Sequence, residues 1–323
     1  MTGGAGYIGS VVTAYLIDNG YEVNILDNLS TGHKSLIDSR STFFLGDILN
    51  ESDVLLAIED CAAVIHLAGK ALVAESVAHP DIYFEHNTNG TKVMLSAVKK
   101  SKVSKFVFAS TCAVYGTPEQ SPISENEKTS PVNPYGESKL QADTLIGSFC
   151  ESNDLDAFSF RFFNVAGSYL SKSGGLFGEM HLEETHLIPN LIKKQEVTIF
   201  GDDWPTLDGT CIRDYVHVVD LAVAIEKALA TNTVFGHKIY NLGSGRGSSV
   251  LQVANEANRI LENSVEISFA KRRPGDPSEL ISDPKKAERE IGWQSKLDLE
   301  TMIKDTITFF RYTNEQNKEK KVN

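Results

Sequence analysis

Tyr135 and Lys139 stand four residues apart in the run NPYGESKL. On a helix that spacing puts both side chains on one face, where an ammonium beside a phenol favours the phenolate and lowers a pKa that starts near ~10. A tyrosine so tuned is a general base for a hydroxyl proton, and the lysine could also reach a nicotinamide ribose. Taken alone, such a pair more often describes a solvated helix face. Upstream, KFVFAS leads into TCAVYG and brings Ser110 and Thr111 to the end of a candidate strand. Ligands of parallel sheets bind at that edge, so a hydroxyl there can join the tyrosine. At the start of the chain, Gly3, Gly6 and Gly9 give G-x-x-G-x-x-G. The first glycine allows a tight turn, the second a close approach of backbone to a pyrophosphate, and the third close packing of the following helix. The spacing by itself also suits ordinary turn glycines. Asp27 ends the apolar run Val23–Leu26 about twenty residues further on, where a carboxylate accepts hydrogen bonds from an adenosine ribose and repels a 2′-phosphate, which points to NAD. Asp47, in FFLGDI, could frame the adenine or serve as a turn or helix-capping aspartate.

These groups need elements to hold them. Tyr21–Leu26, Thr42–Leu45, Ala63–Leu67, Lys105–Ser110 and Phe158–Phe163 are short apolar runs rich in Val, Ile and Phe, as strands buried on both faces are. Helical stretches separate them: Gly9–Asn19 closed by Gly20, Ser52–Ile58, Ile82–Lys100 and Pro134–Glu151. The alternation predicts right-handed βαβ units and a doubly wound parallel sheet, an α/β fold. After Gly167 the rhythm gives way to glycine-rich turns, which predicts a smaller, irregular lobe. The lysine-rich end, Asn314–Asn323, is expected to fray.

Composition narrows the partners. A formal net charge of −12 over 323 residues disfavours a nucleic-acid or anionic-membrane surface. No run approaches the roughly eighteen apolar residues of a membrane span, and no secretory leader is recognisable. Cys61, Cys112, Cys150 and Cys211 are scattered and form no CxxC pair, so the cysteines suggest neither a disulfide framework nor a zinc site, and no metal is expected. The expected setting is the cytoplasm. An anionic ligand would need a few placed arginines.

Beyond these features, TGGAGYIGS, LDNLSTG, GDI, VIHLAGKALVAESV, NTNGT, FASTCAVYG, PYGESKL, RFFNVAG, DGTCIRDYVHV, YNLGSG and RRPGDP span nearly the whole chain. Together they resemble the extended short-chain dehydrogenases/reductases, within them the nucleotide-sugar 4-epimerase branch. The 4,6-dehydratases of that family carry two acids after the equivalent threonine, and related decarboxylases carry Ser-Glu. Here the positions are Cys112 and Ala113, neither of which can serve elimination at C5 and C6, so redox chemistry at one carbon remains.

The resemblance implies a Rossmann-type NAD-binding domain over 1–166, with segments near 211–245 returning to it, and a UDP-sugar lobe over 167–323. It implies interconversion of UDP-glucose and UDP-galactose through a 4-keto sugar, with Thr111, Tyr135 and Lys139 catalytic and a homodimer as the assembly. Tyr7 and Ile8 would meet the pyrophosphate; Asp27 and Asn28, near Ser30, Thr31 and Gly32, the adenosine ribose; Asp47 and Ile48 the adenine. Leu67, Ala68, Gly69, Asn87, Ser110 and Phe163 would line the rest of the cofactor cleft. For the sugar nucleotide, Asn164 and Arg213 would bind the diphosphate region, Arg273 and Asp276 the phosphate and uridine ribose, and Leu187, Thr198, Phe200, Tyr215 and Val250 the remainder; guanidinium forks match phosphate oxygens. Arg272 reads as a solvated neighbour.

Leu280, four residues past Asp276, matches a position where residue size gates the sugar's 2-substituent, or is a packing residue before a strand. The chain departs from the family pattern at Ala71, where a lysine is usual, and at His86, where an asparagine is usual. Only Met1 and Thr2 precede Gly3, so the family's first strand is expected to be missing through N-terminal clipping. The rival readings are a 4-epimerase for another UDP-sugar (UDP-N-acetylglucosamine or UDP-xylose) and a non-catalytic NAD-binding sensor.

Overall fold

In a computed structural model of the chain, all residues are described except 182–183, 233–235, 263, 274 and 323, together with the side chains of 317–322. The first half runs α1 (Tyr7–Asp18), β1 (Asn24–Asp27), β2 (Thr42–Leu45), α2 (Glu51–Ala57), β3 (Ala63–His66), α3 (Val73–Ala78) and α4 (Pro80–Tyr83). A π-helical turn (Phe84–Asn89), α5 (Gly90–Lys99), β4 (Lys105–Thr111), α6 (Pro134–Cys150) and β5 (Asp156–Phe162) complete it. Then follow β6 (Asn164–Ala166), β7 (Ser168–Leu170), β8 (Leu176–Gly178), α7 (Leu187–Lys194), β9 (Glu196–Phe200), β10 (Ile212–His217), α8 (Val218–Ala230) and β11 (Gly236–Leu242). The chain ends with β12 (Gly247–Ser249), α9 (Val250–Ile260), β13 (Glu266–Ala270), β14 (Glu279–Leu280), α10 (Lys285–Ile291) and α11 (Leu299–Val322).

The main sheet is parallel throughout: β2 pairs with β1, and β3, β4, β5 and β11 follow side by side. Between the two groups lies the chain start. Thr2 bridges Leu26 of β1 and His66 of β3, its N–H donating to Ile65 O and its carbonyl accepting from Leu67 N. The slot of the expected first strand is thus held, in this chain, by Met1 and Thr2. Alternate residues of the strands serve opposite faces. Phe106 and Phe108 pack with Val64, Met94 and Ile146 on one side, and Val107 and Phe160 pack with Val12, Leu221 and Ile225 on the other. Every residue of β5 is buried, as a central parallel strand requires. The irregular elements form a second body, in which β10 pairs with β6, β12 and β14, and α7, α9 and α11 share a core around Leu191, Val253 and Ile303.

Three sequence expectations change. The first strand of the reading starts at Asn24, not Tyr21, because the turn after α1 holds Tyr21 N on Leu16 O. The helix expected over Ile82–Lys100 is interrupted at Phe84–Asn89, where a π-turn inserts an extra residue and tucks Asn87 inward. The terminal segment expected to fray is helical to Val322 within α11. Its run of Glu, Gln and Lys consists of good helix formers. Among the described residues, no helix is long and apolar enough to cross a membrane.

Candidate active site

The glycine loop sits at the carboxyl edge of the sheet. Gly3 has φ +71° and donates its N–H to Leu26 O, and a Cβ on it would lie 2.7 Å from Ala68 N. Gly6 is the residue before α1, and no side chain caps that helix. The amides of the first turn, those of Tyr7 and Ile8 included, are therefore left for an anion. The Tyr7 side chain turns away, its hydroxyl donating to Gly167 O at 2.8 Å. Asp27 is nearly buried, and its carboxylate is fixed by Ala5 N (3.0 Å) and Leu29 N (2.8 Å), which leaves lone pairs for a ribose diol. Asn28 donates to Asp47 at 2.9 Å, and Ser30 N closes on Asn28 Oδ1, so Ser30, Thr31 and Gly32 form the loop beside Asp27. Asp47 does not cap a helix: Asn50 caps α2, and Asp47 accepts from Leu49 N in a turn.

Two of the expected cofactor contacts have their side chains committed elsewhere. Ile48 is buried in the core against Gly90, and the Ser110 hydroxyl donates to Asp143 at 2.9 Å. Leu67, Ala68 and Gly69 follow β3 directly, and Asn87 locks that segment by accepting from Lys70 N (2.8 Å) and donating to Lys70 O (3.0 Å) and Ser138 Oγ (3.0 Å). The π-turn makes this reach possible, as such turns do at functional sites. His86, left out of the site, bonds back to Ile82 O.

Asn133 caps α6 by accepting from Gly136 N, and Pro134 starts the helix, which places Tyr135 in its first turn. Thr111 ends β4 and accepts from Ala113 N. Tyr135, Thr111 and Lys139 converge there, with the Tyr83 ring edge-on to Tyr135 at 6.3 Å. The expectation that the ammonium lowers the phenol does not hold in this protein as it stands. Burial pushes Tyr135 up to about 12; the Thr111 hydroxyl opposes the rise and Cys112 adds to it. Lys139 spends its proton on Ala109 O at 2.9 Å and lies over the Phe108 ring at 4.7 Å.

Burial also lowers Lys139 to about 8, against the pull of the Asp143 carboxylate one turn on. The folded value lies below the unfolded one of 10.5, so the unfolded chain binds more protons between about 8 and 10.5, and stability rises with pH through that window. In cofactor-free protein, Lys139→Met should therefore be stabilising near pH 7.5, by up to about 3 kcal/mol, and the gain should shrink toward pH 10. Melting temperatures of both proteins across that range check this; a pH-independent difference contradicts it.

On the second body, Asn164 and Tyr215 are register partners across β6 and β10, and Arg213 aligns with Leu280 of β14. Arg213 donates to Ile212 O (2.8 Å) and Pro277 O (3.1 Å), which props its guanidinium. Arg273 stacks on Phe200 at 3.8 Å, and Asp276 N closes on Arg273 O. Thr198 pairs with Ser268 on the exposed side of β9 and β13, Val250 opens α9 with its N–H on Cys211 O, and Leu187 opens α7. Leu280 lies within a strand, not before one, and packs against the cluster of Val114, Tyr115, Ile123 and Phe163. Arg272 is tied to Asp203 and Trp204 away from that row.

Sequence reasoning missed a buried floor beneath Tyr135 and Lys139. Asp143 accepts from Ser110, and Arg161 reaches both Asp143 (3.4 Å) and Tyr115 (2.9 Å), whose hydroxyl donates to Asn241. No local spacing announces this network.

A glycine loop over an uncapped helix, an acid ending β1, Thr at the end of β4, and Tyr and Lys at the start of α6 define the short-chain dehydrogenase/reductase class. A family model for GDP-mannose 4,6 dehydratase matches residues 1–306. A UDP-glucose 4-epimerase of Corynebacterium glutamicum is 40% identical over 315 residues, covering 96% of this chain and 94% of that protein. The UDP-glucose 4-epimerase of Brucella ovis, solved in complex with NAD, superposes with a TM-score of 0.90 at 38% identity, over 96% of this chain and 97% of that one. That of Bifidobacterium longum, solved with NAD+ and UDP, gives a TM-score of 0.86 at 34% identity, over 95% and 96%. The chain belongs to the UDP-glucose 4-epimerase family of extended short-chain dehydrogenases/reductases.

Proposed function

We propose that this protein interconverts UDP-glucose and UDP-galactose by inversion at C4, using NAD held across the glycine loop and Asp27. The observation that carries the proposal is the convergence of Thr111, Tyr135 and Lys139 beside Cys112 and Ala113, which offer no acid for elimination. The loop residues suit the dinucleotide: α1 has no side-chain cap, and a Cβ on Gly3 would collide with the Leu67 and Ala68 backbone against which the loop is laid. NAD held by the glycine loop and Asp27 would supply a reversible hydride acceptor for the sugar carbon. Tyr135 takes the C4 hydroxyl proton and later gives it back, and Thr111 orients that hydroxyl. Lys139, one turn from Tyr135, would reach the nicotinamide ribose; in the cofactor-free protein its ammonium is held on Ala109 O. Asn164, Arg213 and Arg273 anchor the diphosphate while the sugar turns, which requires a tight grip on the nucleotide and a loose one on the hexose. In this reading residues 1–166, joined by 211–245, hold NAD and 167–323 hold the UDP-sugar. The resemblance to the family supports a homodimer and a cytoplasmic setting as part of this reading. Turnover of UDP-galactose by protein of measured NAD content tests the proposal; NAD-replete protein without turnover overturns it.

Leu280 favours a second substrate. It packs against the cluster that holds Phe163, aligns with Arg213 across β10 and β14, and is smaller than tyrosine. UDP-galactose should be the better substrate, with weak turnover of UDP-N-acetylgalactosamine. Leu280→Tyr should abolish the second activity and spare the first. The check is kcat/KM for both sugars in both proteins, and an equal loss on the two would show that Leu280 is no gate.

A further inference from the structure

The connection between β8 and α7 carries chemically capable side chains outside the site described above. Glu179, His181, Glu184 and His186 each offer one ligand atom, and the four atoms lie within 4.8 Å of one another. His181 Nδ1 is 3.1 Å from Glu179 Oε1 and 3.6 Å from Glu184 Oε1, and His186 Nδ1 is 3.6 Å from Glu184 Oε1 and in short contact with Glu179 Oε1. The two glutamate side chains are 2% and 4% exposed. Two carboxylates held this close in a dry place demand positive charge. Lys193 contributes from the rim, 3.5 Å from Glu184 Oε2. Even so, His181 Nδ1 and Glu184 Oε2 are buried without a hydrogen bond, as is Asn190 Oδ1 on the adjoining helix. Three of the five such atoms among the described residues therefore fall around one point.

We propose that Glu179, His181, Glu184 and His186 form a binding site for a divalent cation of the zinc type. Ligands at 2.0–2.1 Å from a tetrahedral ion stand about 3.3 Å apart; the His181–Glu179 separation of 3.1 Å and the two histidine–Glu184 separations of 3.6 Å lie near that value, while His186 and Glu179, in direct short contact, would part to admit the ion. Imidazole nitrogens select zinc-like ions over magnesium and calcium, and two carboxylates balance one divalent charge. The whole set comes from a single short run, E-x-H-x-x-E-x-H, and His186 is the residue that precedes α7. The ion would tie β8 to the start of α7.

The test uses full-length protein with its cofactor, stripped by chelator, exposed to Zn2+ and passed through gel filtration, with metal counted by mass spectrometry. About one zinc per chain is expected for wild type, and four-coordinate ligand-field bands are expected after Co2+ exchange. His181→Gln, at a partly exposed position, and His186→Gln should each weaken zinc binding at least 100-fold, with circular dichroism and NAD content unchanged. Wild type that retains no stoichiometric zinc, or a His181→Gln/His186→Gln double variant that retains as much as wild type, overturns the proposal.

Discussion

Tyr135→Phe should lower turnover of UDP-galactose by at least roughly 10²–10⁴-fold, the loss typical of removing a general acid/base, while leaving NAD content and the KM for the sugar nucleotide near wild type. The ring itself is held by the first turn of α6 and by the edge contact with Tyr83, so phenylalanine keeps the packing. The cofactor loop lies on other elements and does not depend on the hydroxyl. What disappears is the one group able to carry the C4 proton, since Cys112, raised by burial to about 11, and Ala113 cannot replace it. The phenol starts at about 12 in the buried pocket, so at neutral pH it holds its proton until cationic neighbours favour the phenolate. Wild-type kcat should accordingly climb with pH above neutrality, and the residual rate of the variant should be flat. Wild-type-like turnover by the variant would remove Tyr135 from the mechanism.

The parts of the site written into short spacings were legible in the sequence. Gly3, Gly6 and Gly9, Asp27 after β1, and Tyr135 with Lys139 each follow from what a turn, a strand end or one helix face dictates. Quantities set by burial were not. The four-residue spacing of Tyr135 and Lys139 suggests a lowered phenol, yet desolvation dominates, and Lys139 turns its proton to Ala109 O. Helical periodicity runs unchanged through Phe84–Asn89, so the π-turn that lets Asn87 hold Lys70 left no trace in the pattern. The Asp143–Arg161–Tyr115 floor joins elements distant in sequence, and only tertiary packing assembles it. The His and Glu cluster is written in the run EMHLEETH, a spacing that cysteine positions do not reveal.

Gly9→Ala tests whether the opening loop is a built cradle. A Cβ at Gly9 would lie 2.1 Å from Gly3 O, 2.8 Å from Gly3 C and 2.9 Å from Gly4 Cα. All three are backbone atoms of the loop, so no side chain can swing aside. Either α1 lifts from the loop or the loop opens, and both displace the first-turn amides from the anion site. Overpacking of this kind costs on the order of 1–3 kcal/mol in stability. Loss of the amide geometry should also weaken NAD binding by at least ~100-fold, or about 2.8 kcal/mol. Gly20→Ala is the control. Gly20 has φ +91° and nothing within 4 Å of a Cβ, so alanine there brings only backbone strain, about 1–2 kcal/mol, far from the cleft. The expected result is that both variants melt earlier than wild type while only Gly9→Ala loses NAD during purification and needs added NAD for turnover. If Gly9→Ala keeps its cofactor as firmly as Gly20→Ala does, the close approach of α1 to Gly3 is not what shapes the binding site.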